Sequence, residues 1–354
     1  MLLRMVRWLV FTFVLLSVCI GAALVYAQRT LNMPGPLETT RNIVVPHGGL
    51  DPIADRLLAA DVIAGRRNFQ IATLLTHHEG SLRAGEFSFP AHASLREVLT
   101  VLRTARPVQH SLTIPEGLTG KQIQTILAHA DALSGPAEAI EEGSVLPQTY
   151  QFELGTSPDA LLARARTAMA KTLDQEWTKR SPDVKLASAR DALILASIVE
   201  RETAVADERP HVAAVFLNRL KAGMKLQSDP TVVFGASAGA GTLDHPLTRA
   251  ELDRDDPYNT YRIRGLPPGP ICAPGIASLR AALHPATSDD LYFVADGTGR
   301  HVFARTLDEH NRNVARWRAQ TPSVAPSVAP LATPPAALAP ASAASSAPGT
   351  PKPR

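Results

Sequence analysis

Residues 188–203 read SARDALILASIVERET, and this stretch decides what kind of domain the chain builds. Ser188, with Asp191 three residues on, has the form of a capping box, and the apolar run behind it predicts a helix as far as Thr203. At about 100° per residue, Leu195, Ile198 and Val199 share a face with Glu202, whereas Glu200 lies nearly opposite, over Ala196 and beside Ser197. Only Glu202 continues the apolar stripe. A carboxyl group flanked by apolar side chains loses hydration, which penalises its ionised form and suits it to act as a general acid near neutral pH. The alternative is that Glu202 emerges at the helix end into water.

Outward from this helix the pattern is helical on both sides. One helix is expected from Ser157 to about Lys179, and another from Arg209 to Lys221, ending at Gly223. Beyond Gly223 the chain changes character. LQSDPTVVFG (226–235) and DDPYNTYRIRGLPPGPICAPG (255–275) are dense in turn formers, LYFVAD-GTG-RHVFA (291–304) reads as a hairpin, and a last helix is expected from Thr306 to Ala319. Helices followed by a wall of loops suit a cleft for a long, polar ligand. Gln227, Ser228, Asp229 and the run Tyr258-Asn259-Thr260-Tyr261 offer amides, hydroxyls and aromatic faces, which match the hydroxyl edge and C–H face of a sugar ring. Asp229 before Pro230 equally fits a turn, and Asn259 a loop cap.

On the amino-terminal side, three segments repeat one arrangement: an extended stretch, a turn with proline, and an amphipathic helix. They are Ile43–Gly48 followed by Ile53, Leu57 and Leu58; Phe87–Pro90 followed by Leu95, Val98, Leu99 and Leu102; and Leu112–Gly117 followed by Ile123, Ile126 and Leu127. Each is too short to bury its own helix, so the three are expected to pack together as one small α+β module.

The ends differ from the middle. After Arg4 and Arg7, Trp8 to Ala27 is a run of about 20 residues without a charge, enough to cross a bilayer core of roughly 30 Å. It is longer than a signal-peptide core, so an uncleaved anchor is favoured over cleavage after Val25-Tyr26-Ala27, and the basic residues before it place the amino terminus inside. Thr321 to Arg354 has no aromatic or acidic residue and reads as a disordered Pro/Ala-rich tail.

Composition narrows the chemistry. Of 354 residues, 36 are Lys or Arg and 33 Asp or Glu, a formal net charge of +3 with no long basic block, so nucleic acid is not an expected partner. The cysteines are Cys19, in the apolar run without a lipoprotein signal, and Cys272, so neither a disulfide framework nor a cysteine-based zinc site is available. Gly235-Ala236-Ser237-Ala238-Gly239 has the form of a nucleophile elbow after a possible strand Val232–Phe234, but the helix that should follow is missing. Eleven histidines include no H-E-x-x-H, and His77-His78-Glu79 has the wrong order, so no metal site is expected. No S-x-x-K serine–lysine pair occurs either.

Five segments in this order resemble the endolytic murein transglycosylase family, also called YceG-like proteins: Leu195–Thr203, Leu226–Val232, Tyr258–Tyr261, Gly265–Ile271, and His284-Pro285 leading into Leu291–Val294. Weaker matches are Ile114–Gly117 and Leu146–Tyr150, where the family usually has Asp at Gln148. The resemblance spans roughly Ile43 to Arg318 and implies an α+β chain in four parts. These are a cytoplasmic amino terminus and single transmembrane helix (1–28), a LysM-like α+β module (40–135), a lysozyme-like helical catalytic domain with a loop- and hairpin-rich wall (136–320), and the tail (321–354). It implies an inner-membrane, periplasm-facing lytic transglycosylase that cuts peptidoglycan strands without metal or cofactor and that interacts with peptidoglycan synthases. It also points to Glu202, next to Thr203, as catalytic residue, with Glu200 its substitute. Gln227, Asp229, Asn259 and Tyr261 are the candidates for gripping sugar. A membrane-tethered peptidoglycan-binding scaffold without its own activity is the alternative.

Overall fold

A long apolar run closes its own backbone hydrogen bonds most readily as a helix, and α1 (Leu2–Asn32) does so. The computed structural model describes residues 2–320 of this mixed α+β chain, so the expected tail Thr321–Arg354 lies outside the described residues. The 29 residues from Arg4 to Asn32 are long and apolar enough to cross a membrane, about 44 Å at 1.5 Å per residue. Trp8, Phe13, Leu16 and Ile20 are exposed along it. Thr12 and Ser17 return their hydroxyls to carbonyls of the preceding turn, at 2.9–3.0 Å, and so hide their polarity.

The chain forms two compact units. One is built from the chain up to Leu112 with Ala130–Pro136 and Tyr150–Leu161; the other from Thr113–His129, Ala137–Thr149 and the chain from Leu162 onward.

In the first unit, β1 (Arg41–Val45), α2 (Leu50–Ala59), α3 (Arg66–Leu75), β2 (Gly85–Phe89) and α4 (Leu95–Thr104) follow in order. β1 and β2 pair antiparallel with Ile43 opposite Phe87. Period-2 alternation turns Ile43, Val45, Phe87 and Phe89 inward, where Leu57, Phe69, Val98, Leu99 and Leu102 meet them in one core. Leu58 departs from the expected stripe and is 40% exposed, since α2 buries Ile53, Ala54 and Leu57 instead. Ser94 and Glu97 form a complete capping box at the start of α4. Buried Arg103 closes the turn at His77–Glu79, donating to the Gly80 carbonyl at 3.0 Å and pairing with Glu79 at 2.9 Å. The third repeat does not join this core as expected. Its strand β3 (Gln109–Thr113) pairs with β4 (Thr149–Glu153), while its helix α5 (Gly120–Ala128) belongs to the second unit.

The second unit follows α6 (Pro158–Thr178) with α7 (Ala189–Glu202) and α8 (Arg209–Lys221), close to the expected bounds. Ser188 caps α7 by accepting from the Asp191 amide at 3.1 Å. The Asp191 carboxylate does not reciprocate, so half of the expected box is present. Every residue of α7 from Ala192 to Glu200 is buried, which marks a core helix rather than an amphipathic surface one. Leu195, Ile198 and Val199 pack with Val212, Phe216 and Leu279.

The segment expected as turn-rich, LQSDPTVVFG, instead contains a helix, α9 (Asp229–Ala236). Proline lacks an amide donor and has a helical φ, so Pro230 favours the first turn rather than breaking it. Val232–Phe234 is therefore helical, not the strand that a nucleophile elbow needs. Ser237 donates to the Phe234 carbonyl and accepts from the Gly241 amide, and both bonds are local. After the short α10 (Arg249–Leu252) come α11 (Ile276–Leu283), the hairpin β5 (Tyr292–Ala295) with β6 (His301–Ala304), and α12 (Leu307–Gln320). The hairpin is antiparallel, with Phe293 opposite Phe303, and His211 of α8 stacks on Phe303 at 3.6 Å.

Ser197, fully buried in mid-α7, ties the helix to the segment before α11. Its hydroxyl donates to the Ile194 carbonyl at 2.7 Å and accepts from the Ile271 amide at 3.0 Å. Ser197→Ala leaves a buried amide unpaired and is expected to cost about 1–3 kcal/mol in urea unfolding.

Candidate active site

Glu202 is the last residue of α7, and its surroundings are set by the chain that returns past it. Ser228 stands at the cap position of α9 with an extended backbone, yet its hydroxyl does not cap that helix. It donates instead to Glu202 Oε1 at 2.5 Å. Two fully buried threonines fix the backbone of Ser228 in turn. Its amide donates to Thr260 Oγ1 at 2.9 Å, and its carbonyl accepts from Thr231 Oγ1 at 2.7 Å. Burial pushes the Glu202 carboxyl up to about 7, against the Ser228 hydrogen bond, which lowers it. The charge of Asp229 raises it further and that of Arg219 lowers it. Near neutral pH this carboxyl exists in both forms, as an acid that must give and retake a proton requires.

The structure brings two of the four candidate sugar ligands, Asp229 and Tyr261, close enough for their charges to act with this carboxyl. Asp229 Oδ1 accepts from the Tyr261 hydroxyl at 2.6 Å, and burial together with Asp229 holds that phenol in its neutral form, well above its usual range. Gln227 is exposed, with its amide bonded to the Thr260 carbonyl at 3.2 Å and its backbone in the left-handed region at φ 54°. Asn259 is placed differently. It is 1% exposed, its Nδ2 donates to the carbonyls of Glu251, Leu252 and Arg254, and its Oδ1 accepts from the Tyr261 amide. Its polar atoms are spent on the loop, so it presents Tyr261 rather than gripping a ligand itself.

Arg219 is the residue that sequence reasoning missed. It is buried, donates to the carbonyls of Leu291 at 2.6 Å and Leu226 at 2.7 Å, and lies over the Tyr292 ring at 5.2 Å. No carboxylate among the described residues pairs with it within 4.0 Å, and burial lowers its pKa. The signal was present: Val212, Val215, Phe216 and Arg219 form one stripe of α8, which the arginine completes as Glu202 completes its own.

Glu200 has the opposite environment. It is 8% exposed, pairs with Arg209 at 3.1 Å, and accepts from the Gly275 amide at the start of α11 at 2.9 Å. Glu116 approaches the same guanidinium at 3.7 Å, and burial with the neighbouring Glu200 charge raises its pKa. Gly275 leaves room for the Glu116 carboxylate here, since a Cβ would lie 2.0 Å from Glu116 Oε1 and would push that side chain aside. Glu200 is thus a paired carboxylate that fastens α7 to α11.

The family model of the YceG-like family matches residues 43–316, which covers this whole constellation. The chain belongs to the YceG-like family. Among its relatives, a protein of Bacillus subtilis named endolytic murein transglycosylase is 31% identical over 332 residues, covering 83% of this chain and 89% of that one. One of the same name from Streptococcus pneumoniae is 29% identical over 284 residues, 66% of this chain and 50% of that protein. A crystal structure of a yceG-like protein from Listeria monocytogenes is 28% identical and covers 78% of this chain and 99% of its own, with a TM-score of 0.48.

The raised pKa of Glu202 has a consequence for stability. Its folded value of about 7 lies above the ordinary 4.5, so ionisation opposes folding. The protein loses stability as pH rises from about 4.5 to about 7, and no more above that. Glu202→Gln removes this loss: in urea unfolding the variant is expected to match the parent's stability at pH 4.5 and to exceed it at pH 8, by at most about 3 kcal/mol.

Proposed function

We propose that this chain is an endolytic lytic transglycosylase of peptidoglycan, with Glu202 as its catalytic acid and base. The observation that carries the reading is a carboxyl at the end of a buried helix, pushed up to about 7 by burial and held by a neutral hydroxyl. The name endolytic murein transglycosylase borne by its relatives supports it. Ser228 occupies Oε1, so the proton to be donated sits on Oε2. Glu202 gives that proton to the oxygen of the β-1,4 bond between N-acetylmuramic acid and N-acetylglucosamine as the bond to the anomeric carbon breaks. Positive charge builds on the ring, and the Asp229 carboxylate stabilises it. The ionised Glu202 then takes the proton of the muramic C6 hydroxyl, whose oxygen closes onto the anomeric carbon. The products are a free N-acetylglucosamine hydroxyl and a 1,6-anhydromuramic end, no water is consumed, and Glu202 is protonated again. An internal nucleophile explains why one such carboxyl suffices.

Gln227 and Tyr261 are the remaining contacts offered to sugar, with Asn259 positioning Tyr261. The paired β1–β2 strands and their helices support a LysM-like reading of the first unit, and the buried α7 a lysozyme-like reading of the second. Arg4 and Arg7, in the first turns of α1 ahead of its uncharged run, support an inner-membrane anchor with the amino terminus in the cytoplasm and the rest in the periplasm. There the enzyme would end the elongation of nascent strands beside peptidoglycan synthases.

Glu202→Gln is expected to keep the fold and to lower strand cleavage by about 10²–10⁴-fold, the usual share of a general acid. Mass spectrometry of digested strands separates the readings. Anhydro ends support the transglycosylase, hydrated reducing ends indicate a hydrolase, and uncut strands indicate a scaffold. The rate is also expected to fall as pH rises through about 7, where Glu202 loses the proton it must donate.

A further inference from the structure

A cleft of about 600 Å³ opens beside α9 in the second unit, and none of Glu202, Ser228, Asp229 or Tyr261 lines it. Its apolar surface comes from Ile140, Pro257 and the rings of Phe234 and Tyr258, whose centroids are 4.8 Å apart. Titratable groups of both signs stand around that surface. Asp256 accepts from the Tyr258 amide through Oδ1 at 2.8 Å, while its Oδ2 has no hydrogen bond among the described residues. The carboxylate reaches this position because residue 235 is glycine: a Cβ there would lie 2.5 Å from Asp256 Oδ1. Lys121 is exposed and donates to the Ala238 carbonyl at 2.9 Å, which leaves two of its three donors for a ligand. Glu142 turns both oxygens to the Gly120 amide, at 2.9 and 3.0 Å, and so is committed to the start of α5.

We propose that this cleft receives the peptide stem of the glycan strand, with Lys121 taking a carboxylate and Asp256 the side-chain ammonium of the stem's diamino acid. The inference rests on the reading of the chain as a peptidoglycan enzyme. A neutral sugar does not need opposite charges around an apolar floor, whereas a zwitterionic peptide does, because each of its charges loses water and must be paired. The distance fits. From Ser228, which holds Glu202, to Phe234 is six residues, about 9 Å along α9. Three extended peptide residues span about 10 Å. A stem borne by a muramic residue at Glu202 is thus long enough to bring its third residue to the cleft.

The test titrates a soluble, sugar-free stem peptide containing the diamino acid into detergent-solubilised full-length protein. The variants are Lys121→Met and Asp256→Asn, and each is also given strands stripped of their stems. The parent is expected to bind the peptide, each variant to bind it at least tenfold more weakly, and both variants to cut stripped strands at the parental rate. Absent binding, or equal binding in the variants, overturns the proposal, as does displacement of the peptide by a neutral chitin oligosaccharide, which would assign the cleft to glycan. Lys121→Glu, at an exposed position, replaces any variant that does not fold. Failure of the parent to cut any strand would sink the enzymatic reading instead, and the peptide titration still reports on the cleft.

Discussion

A carboxyl is kept near its neutral form at physiological pH where burial outweighs the charges and hydrogen bonds that favour its ionised form. At the end of α7 burial outweighs the charge of Arg219, and among the described residues the side-chain bond to the group is the one from the Ser228 hydroxyl to Glu202 Oε1. A hydroxyl donor orients a carboxyl while opposing burial only in part; a guanidinium at the same distance would lock it ionised. Much of the second unit serves that arrangement. α8 and α11 enclose α7, the Thr231 and Thr260 hydroxyls hold the Ser228 backbone, and the loop carrying Tyr261 is held by Asn259. The first turn of α9 gives up its own side-chain cap so that Ser228 can face Glu202.

The contrast with Glu200 shows how two carboxylates on one helix come to differ. Both lie at the buried end of α7, but Glu200 meets Arg209 and the amide of Gly275, so burial there is compensated by charge and hydrogen bonds. Arg219 completes the picture from the other direction. Its donors go to carbonyls and its charge reaches Glu202 without a salt bridge, which trims the effect of burial rather than cancelling it. Environments that push apart the properties of neighbouring acids are how acid and base roles are divided at active sites.

Much of the architecture is legible in the sequence. The apolar run after Arg7, the period-2 strands around Ile43 and Phe87, and the helices ending at Lys221 and starting near Thr306 follow from local periodicity, and each is found close to where its pattern begins and ends. The misreadings share a cause. Asp229-Pro230 signals a turn or a helix start with the same residues, and which one forms depends on whether the residues after it find a core, as Val232 to Phe234 do. The third repeat carries the same local signals as the first two, but its helix packs with the second unit because strand and helix are free to find separate partners. Asn259 is polar in a polar loop, and nothing in its neighbours says whether its amide faces a ligand or three carbonyls.

By itself, then, the sequence determined the elements, the membrane-length helix and the face of α7 on which Glu202 lies, because these depend on periodicity over a few turns. It also favoured Glu202 over Glu200 as the acid for chemistry. Only the tertiary structure gave the two their different environments. Burial extends around the whole of α7, so the apolar stripe that favoured Glu202 does not by itself separate it from Glu200. What separates them is the partner each meets: Arg209 and the start of α11 for one, Ser228 from the start of α9 for the other. The Gly275 and Ser228 partners stand 75 and 26 residues away along the chain, and contacts at such separations are set by the packing of the whole unit rather than by any local pattern.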